Sequence, residues 1–531
     1  MRLLVVACSL AICSYAAQDF VGVDVRENVV GYLGIPYASP PLARKRFQDP
    51  HPLRDEEIVP TGKTTPGCIN ISRGKLSLSR GRSEDCLYIS VLVPKVLKPE
   101  KQLNALVIFT NANQNLDQLA KLVKSDLAVV QVSFREGPFG FFKSEIYGIK
   151  DILLALQVIK NNLLPRFGLV GKLTAIGEDD AASLLSFAAD FGDSAPFDQA
   201  VLLGGNKYVG RFNERKEIVE RNADRLLRAT ECDLPSHAQA LDCLRTKSIS
   251  EIRDAVEEMK FDEVHGAPFQ PLLRGDIKNI FPAIVASRAG LQQDYLSPEE
   301  FNVDYSYNDF KRFLANLISE KSYSNAALLR RLALYEYIHS VGDKKDTYLL
   351  FEQTRKMVQD KHFYVPTLRY AMDLNPSKNS VYLLEYFQQD ILNGCFFAAP
   401  NEFIEPFCTR VLQYIDRFST KSAPTDSGCD PNNPKWPALK STKREYFLVL
   451  NEDGQVEWNF DYHLRAAAFW EDLVPAMAKV ELAGKREAAF EEVPDLTAYE
   501  EEDDVQLWHT KEQPDLTEEK ALNDMPLHYD L

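Results

Sequence analysis

Short, wholly apolar runs alternating with longer stretches of helical spacing constrain this chain more than any other feature. Ala105 to Thr110 and Ala128 to Phe134 are rich in β-branched and aromatic residues, as strands buried on both faces are. Tyr147 to Leu164 places apolar residues at Ile149, Ile152, Leu153, Leu156, Ile159 and Leu163, a helical period. Lys172 to Ile176 reads as another strand, and Ala181 to Ala189 as a helix rich in Ala and Leu. Strand and helix in alternation imply a mostly parallel sheet covered on both faces, so the predicted class is α/β. Further helices are expected over Lys216 to Leu227 and Asn325 to His339, with a Pro-, Asn- and Asp-rich loop from Pro424 to Pro437. Of the 531 residues 45% are apolar, enough for a large core, and no internal repeat is present.

Charge divides the chain unevenly. Residues 491–531 hold fourteen Asp/Glu against two Lys, a net of −12 out of the total of −16, which leaves the other 490 residues at −4. No clustered Lys/Arg surface of the kind that binds nucleic acid through counterion release is expected. The acidic stretch, with three prolines and little periodicity, reads as a disordered tail. Tyr499 stands before Glu500, Glu501, Glu502, Asp503 and Asp504, a setting suited to tyrosine sulfation in the secretory pathway. At the other end, Arg2, the apolar Leu3 to Cys13 and the small residues Ser14-Tyr15-Ala16-Ala17 read as a signal peptide over residues 1–17. The body is expected over 18–490 and the tail over 491–531. No stretch approaches the ~20 apolar residues of a membrane span. A secreted, extracellular chain follows as the expectation.

An oxidising destination makes the cysteines informative. Beyond the signal these are Cys68, Cys86, Cys232, Cys243, Cys395, Cys408 and Cys429, an odd number, so at least one is free or pairs between chains. Asn70-Ile71-Ser72 is the one N-glycosylation sequon. No His pair or spaced Cys/His set signals a metal, no glycine loop signals a phosphate, and no cofactor is expected. Arg274-Gly275-Asp276 spells an integrin tripeptide, but its place beside a predicted strand argues against that use.

Several blocks in order carry a resemblance. They are Gly34-Ile35-Pro36-Tyr37-Ala38 with Arg46-Phe47; Ser83-Glu84-Asp85-Cys86-Leu87-Tyr88; Ser133-Phe134-Arg135 with Gly137-Pro138-Phe139-Gly140-Phe141; Tyr147-Gly148-Ile149-Lys150-Asp151; Trp436-Pro437; Tyr446 to Leu450; and Phe469-Trp470-Glu471-Asp472-Leu473-Val474-Pro475. Together they resemble the type-B carboxylesterase/cholinesterase family from about residue 20 to 476. That resemblance implies an α/β-hydrolase fold, and the bridges Cys68–Cys86 and Cys232–Cys243, each worth ~3 kcal/mol in the chain-entropy picture. It gives no partner for Cys395, Cys408 or Cys429.

The family cleaves esters with a Ser on a strained Gly-x-Ser-x-Gly turn, a His base, an orienting acid and a glycine-rich oxyanion loop. Here Gly177-Glu178-Asp179-Asp180-Ala181 occupies the turn, so Asp179 stands in the nucleophile's seat, and no Gly-x-Ser-x-Gly occurs elsewhere. Ser183 falls one helical step beyond. The oxyanion loop is Thr110-Asn111-Ala112-Asn113, without glycine. The acid position aligns near Ile280, with Asp276 the misaligned candidate. The histidine belongs between Val381–Tyr386 and Trp436, and none of the eight histidines lies there. Asp179 and Asp180 also suit the cap of the following helix.

Without those groups the expected function is that of the family's non-catalytic branch, which includes neuroligins, neurotactin, gliotactin and glutactin, the last being most similar in plan: a secreted, catalytically inactive protein that binds extracellular or cell-surface proteins in matrix or adhesion. Relatives pair through a helical bundle, so a homodimer is compatible with the resemblance. Two alternatives stand beside it. One is a divergent hydrolase with Asp179 as nucleophile, as haloalkane dehalogenases and epoxide hydrolases use Asp; the other is a carrier of a small apolar ligand.

Overall fold

The computed structural model describes residues 20–480 apart from 73–74, 78–80, 97–101, 169–170, 210–215, 260–268, 273–274, 290–304, 321, 389, 426–434 and 441–445. The signal segment, the acidic tail with Tyr499, and Cys429 lie outside the described residues, as does the side chain of Asn70. The described residues from 20 to 478 cluster as one compact unit.

Eleven strands form one sheet: β1 (Val23–Arg26), β2 (Val29–Pro36), β3 (Tyr88–Pro94), β4 (Asn104–Phe109), β5 (Leu127–Val132), β6 (Leu173–Glu178), β7 (Gln199–Leu203), β8 (Ala283–Arg288), β9 (Val381–Tyr386), β10 (Tyr446–Leu450) and β11 (Val456–Phe460). Their spatial order is β1-β2-β3-β5-β4-β6-β7-β8-β9-β10-β11. From β5 to β10 every pairing is parallel, and the outer pairs at both edges are antiparallel. The expected mostly parallel sheet is present, and with it the α/β-hydrolase class.

Side-chain alternation explains why the central strands read as unbroken apolar runs. In β4, Ala105, Val107 and Phe109 enter one core while Leu106 and Ile108 enter the other. In β9, Val381 and Leu383 face the first core, and Tyr382, Leu384 and Tyr386 the second. Both faces are covered, so neither can be polar. A third core joins Phe310, Leu329, Tyr337, Phe469 and Trp470 among the helices.

The helix predicted over Tyr147 to Leu164 is regular only through Val158 (α1, Tyr147–Val158), then widens into a π-turn at Ile159–Leu163. Pro165 follows two residues later. Proline lacks an N–H and clashes with the carbonyl four residues back, which here is Asn161, inside the widened turn. Pro366 after Asp360–Tyr364 and Pro475 after Ala468–Leu473 repeat the arrangement.

Four of the seven blocks behind the resemblance meet in two buried charge pairs. The Arg135 guanidinium and backbone N–H donate to both oxygens of Asp151, at 2.7–3.1 Å, and neither residue is exposed. Arg46 forks onto Glu84 at 2.6 Å twice and also donates to the carbonyl of Lys247. Each pair ties distant segments together inside low dielectric. The bridges Cys68–Cys86 and Cys232–Cys243 are present as expected. A third, Cys395–Cys408, joins two cysteines for which the sequence offered no partner.

Candidate functional site

The turn between β6 and the helix α2 (Asp180–Ala188) has Asp179 at its apex. Asp179 has φ +49° and ψ −112°, a left-handed conformation that costs a non-glycine residue about 1–3 kcal/mol. The surrounding backbone holds it there. A Cβ on Gly205 would lie 2.0 Å from the Asp179 carbonyl, and one on Gly177 would lie 2.7 Å from the Ala181 carbonyl carbon. The Asp179 N–H donates to the Leu203 carbonyl at 2.7 Å, and its own carbonyl accepts from Ser183 N–H at 3.0 Å. The strained strand-to-helix turn therefore presents an acidic side chain at its apex.

Asp179 occupies the N-cap position, yet its side chain makes no capping hydrogen bond, contrary to the capping expectation. Instead Oδ1 lies beside Gly204, where an added Cβ would sit 2.6 Å from Oδ1 and 2.9 Å from the Tyr386 hydroxyl. Ser183 is buried and its hydroxyl donates back to the Asp179 carbonyl, so it offers no nucleophile at the apex.

Glu178 was not singled out in the sequence, and it organises the site. Its two carboxylate oxygens accept from the backbone N–H of Ile391 at 2.7 Å and Leu392 at 2.8 Å. Those amides belong to the segment after β9 where a catalytic histidine was sought; the next residue is Asn393, which is exposed. Burial, then the neighbouring Asp179 carboxylate, pushes the Glu178 carboxyl up to about 8, against the opposing pull of the two amides. Tyr386, at the end of β9, is fully buried with a hydroxyl that has no hydrogen-bond partner. Burial first, then Glu178 and Asp179, raise its pKa well above the ordinary phenol value. No spacing rule would have found either residue; both follow from the register of β6, β7 and β9.

The oxyanion loop is closed in on itself. Asn111 is buried and takes hydrogen bonds from the N–H groups of Cys68 and Phe134, while its amide donates to the Phe134 carbonyl and to Glu136. The Ala112 N–H donates to the Thr110 hydroxyl at 3.1 Å. None of Thr110, Asn111, Ala112 and Asn113 has positive φ. Asn113 packs its side-chain oxygen against Gly81.

The acid assignment requires correction. Ile280 is exposed and precedes β8, at the end of the strands opposite the elbow. Since β8 runs parallel to β7 and β6, its end on the elbow's side is at Arg288, not at Ile280; residues 290–304 lie outside the described residues. Asp276 shares the exposed segment with Ile280. Gly275 and Asp276 are exposed in a loop with no strand, and Arg274 lies outside the described residues.

The imidazoles with described contacts lie elsewhere. His51 bonds Gln48, His237 packs on Phe142, His339 meets Tyr307, and His463 sits between Asp360 and Glu385 on the face of β9 opposite Tyr386. His265, His509 and His528 lie outside the described residues. Among the described residues no group of three or more His, Cys, Asp or Glu is placed to hold a metal ion, and no helix is long and apolar enough to cross a membrane.

The family model for carboxylesterases matches residues 20–470. The chain belongs to the carboxylesterase family. Within it, this carboxylesterase-family chain is 22% identical to acetylcholinesterase of Bungarus fasciatus over 517 residues, covering 85% of the chain and 84% of that protein. Over 284 residues, half of its length, it is 30% identical to human thyroglobulin, of which it spans about a tenth. It is also 30% identical over 244 residues to the crystal protein of Dictyostelium discoideum, 43% of each. The matched span includes the elbow, the glycines packed around it and both buried Arg–acid pairs.

Proposed function

We propose that this chain is a secreted carboxylesterase-family protein without ester hydrolase activity, acting through binding of extracellular or cell-surface proteins. The observation that carries this reading is Asp179 at the elbow apex, a carboxylate beside Glu178 where a serine hydroxyl would attack. The Ala112 N–H already spent on Thr110 adds to it, because an oxyanion would find that donor occupied. Three disulfides suit an oxidising, extracellular destination. Relatives whose names denote no enzyme, thyroglobulin and crystal protein, stand beside the cholinesterases.

A fluorophosphonate probe on the purified secreted protein tests the reading at the chemical step. No serine is expected to be labelled; stoichiometric labelling of one would contradict it. The retained backbone strain at Asp179 favours one competing reading, an Asp-nucleophile hydrolase. That chemistry needs a base to activate water against the covalent ester, and turnover abolished by Asp179→Asn would establish it in place of the binding role.

A further inference from the structure

We propose that the outer edge of β11 docks an extended segment of a protein partner, which adds to the sheet as a further strand and carries basic side chains at both of its ends. The last strand of an open sheet leaves the N–H and C=O of every second residue without a partner strand. In the hairpin that joins β10 to β11, the Gly454 N–H donates to the Asn451 carbonyl at 2.9 Å, and the Asn451 N–H donates to the Gln455 carbonyl at 3.0 Å. Asn451 and Gln455 are therefore a hydrogen-bonded pair. Counting along the antiparallel register, Glu457 and Asn459 turn their backbone groups toward β10, and Val456, Trp458 and Phe460 turn theirs outward. Of these outward groups, only the Phe460 N–H finds an acceptor among the described residues, the side-chain oxygen of its neighbour Asn459.

The opposite edge of the sheet is protected and this one is not. β1 is interrupted by a bulge between Asp24 and Arg26, and those two side chains pair with Lys95 and Asp117. Bulges and charges of this kind blunt an edge against strand addition. β11 keeps a regular register over its five residues, holds no proline, lysine or arginine, and leaves Phe460 54% exposed. Val456 and Trp458 pack on the second core, which holds the strand in place while its edge stays open.

Charge at the two ends of the edge chooses the occupant. A cleft of about 750 Å³ opens where β11 starts, between Gln455 and the helix Glu405–Lys421, and one of about 740 Å³ where it ends, beside Asp461. Where a strand is added to a sheet, its main chain supplies the affinity and clefts beside the edge supply the selectivity. The first cleft is lined by the carboxylates of Glu402, Glu405 and Asp453 and by the guanidinium of Arg410. In the second, Lys356 and Arg465 are spent on Asp360 and Glu336, while Glu385 and Asp461 have no Lys or Arg partner among the described residues. Both ends therefore suit a segment with cations at its ends. A second copy of this chain, paired through the same edge, would set one acidic end against the other, so the occupant is a partner of opposite charge.

This inference deepens the binding role proposed above and rests on it for the partner being a protein. The test is calorimetric titration and amide hydrogen exchange of the intact protein with acetyl-Lys-Lys-Val-Thr-Val-Thr-Val-Lys-Lys amide, whose paired lysines put an ammonium on each face of an extended chain. Two controls are the same peptide ending in Glu pairs and the Lys-ended peptide N-methylated at its five central residues. The Lys-ended peptide is expected to bind and, at saturation, to slow exchange of the Val456 and Trp458 amides about tenfold or more, with little change at Glu457 and Asn459, which already pair with β10. Both controls are expected to bind about tenfold or more weakly. Val456→Pro, which removes one outward N–H at a position where an edge strand tolerates proline, is expected to weaken the peptide about fivefold with a melting temperature near that of the parent. Absence of binding, equal affinity for the N-methylated peptide, unchanged exchange at Trp458 on saturation, or no loss in a natively melting Val456→Pro overturns strand addition. Equal affinity for the Glu-ended peptide overturns the partner's charge, and a dimer that Val456→Pro returns to monomer would put a second copy at the edge and overturn the partner. Ester turnover by the same preparation would remove the binding role while leaving the exchange result unchanged, so the two failures are separable.

Discussion

Asp151 shows how a single carboxylate underlies a family block. It has no exposed surface and spends both oxygens on Arg135. Asp151→Ala leaves a guanidinium uncompensated in the core, and an expected cost of about 3–5 kcal/mol should appear as a lower urea midpoint at unchanged m. Glu178 makes the opposite kind of prediction. Its folded-state pKa of about 8 lies above the ordinary carboxyl value, so between roughly pH 4.5 and 8 the folded chain holds a proton that the unfolded chain has released. Stability from this group is therefore complete at low pH and declines as pH rises through that window. Glu178→Gln, which keeps the shape without the charge, should flatten the decline in melting temperature between pH 5 and 8.5; an unchanged slope would contradict the assignment. At the elbow itself, Asp179→Ser should not create an esterase, because the Ala112 N–H stays committed to Thr110. A 4-nitrophenyl acetate rate above buffer for that variant would contradict this.

Strands and helices were legible where one residue pattern decides one element. Val381–Tyr386 and Tyr446–Leu450 fall where their apolar runs lie, and Ala105 to Thr110 is displaced by a single residue. The helix from Tyr147 was legible at its start and not at its end, since apolar spacing continues through the π-turn that Pro165 imposes. The acid position near Ile280 was placed as a turn following a strand, whereas that segment precedes a strand, since pairing with β7 begins only at Ala283. Glu178 and Tyr386 were illegible because their role arises from neighbours more than 200 residues apart in sequence. The Cys395–Cys408 bridge belongs to this scale too. It fastens the turn Leu392–Phe397, which abuts Glu178, to the helix Glu405–Lys421. Replacing both cysteines by serine should cost about 3 kcal/mol and lower the melting temperature of the secreted protein. An unchanged melting temperature would show that the bridge is not formed in solution.

For the chain as a whole, the fold was legible in kind because seven ordered blocks and the strand–helix alternation agree, and the carboxylesterase family model covers the same span. Chemistry was legible only through what stands at Asp179 and between Thr110 and Asn113. The charge asymmetry suggests a further division of labour: a near-neutral catalytic-type scaffold and a −12 segment over residues 491–531. Deleting that segment should leave urea stability of the body unchanged while reducing salt-sensitive capture of basic extracellular partners. Loss of body stability on deletion would contradict it. The claim on which the functional account depends is that this scaffold no longer turns over esters. Its most direct test is the steady-state hydrolysis of acetyl and butyryl thiocholine by the purified secreted protein beside its Asp179→Asn variant. The account predicts that both are indistinguishable from buffer, and turnover by the parent that vanishes in the variant would contradict it.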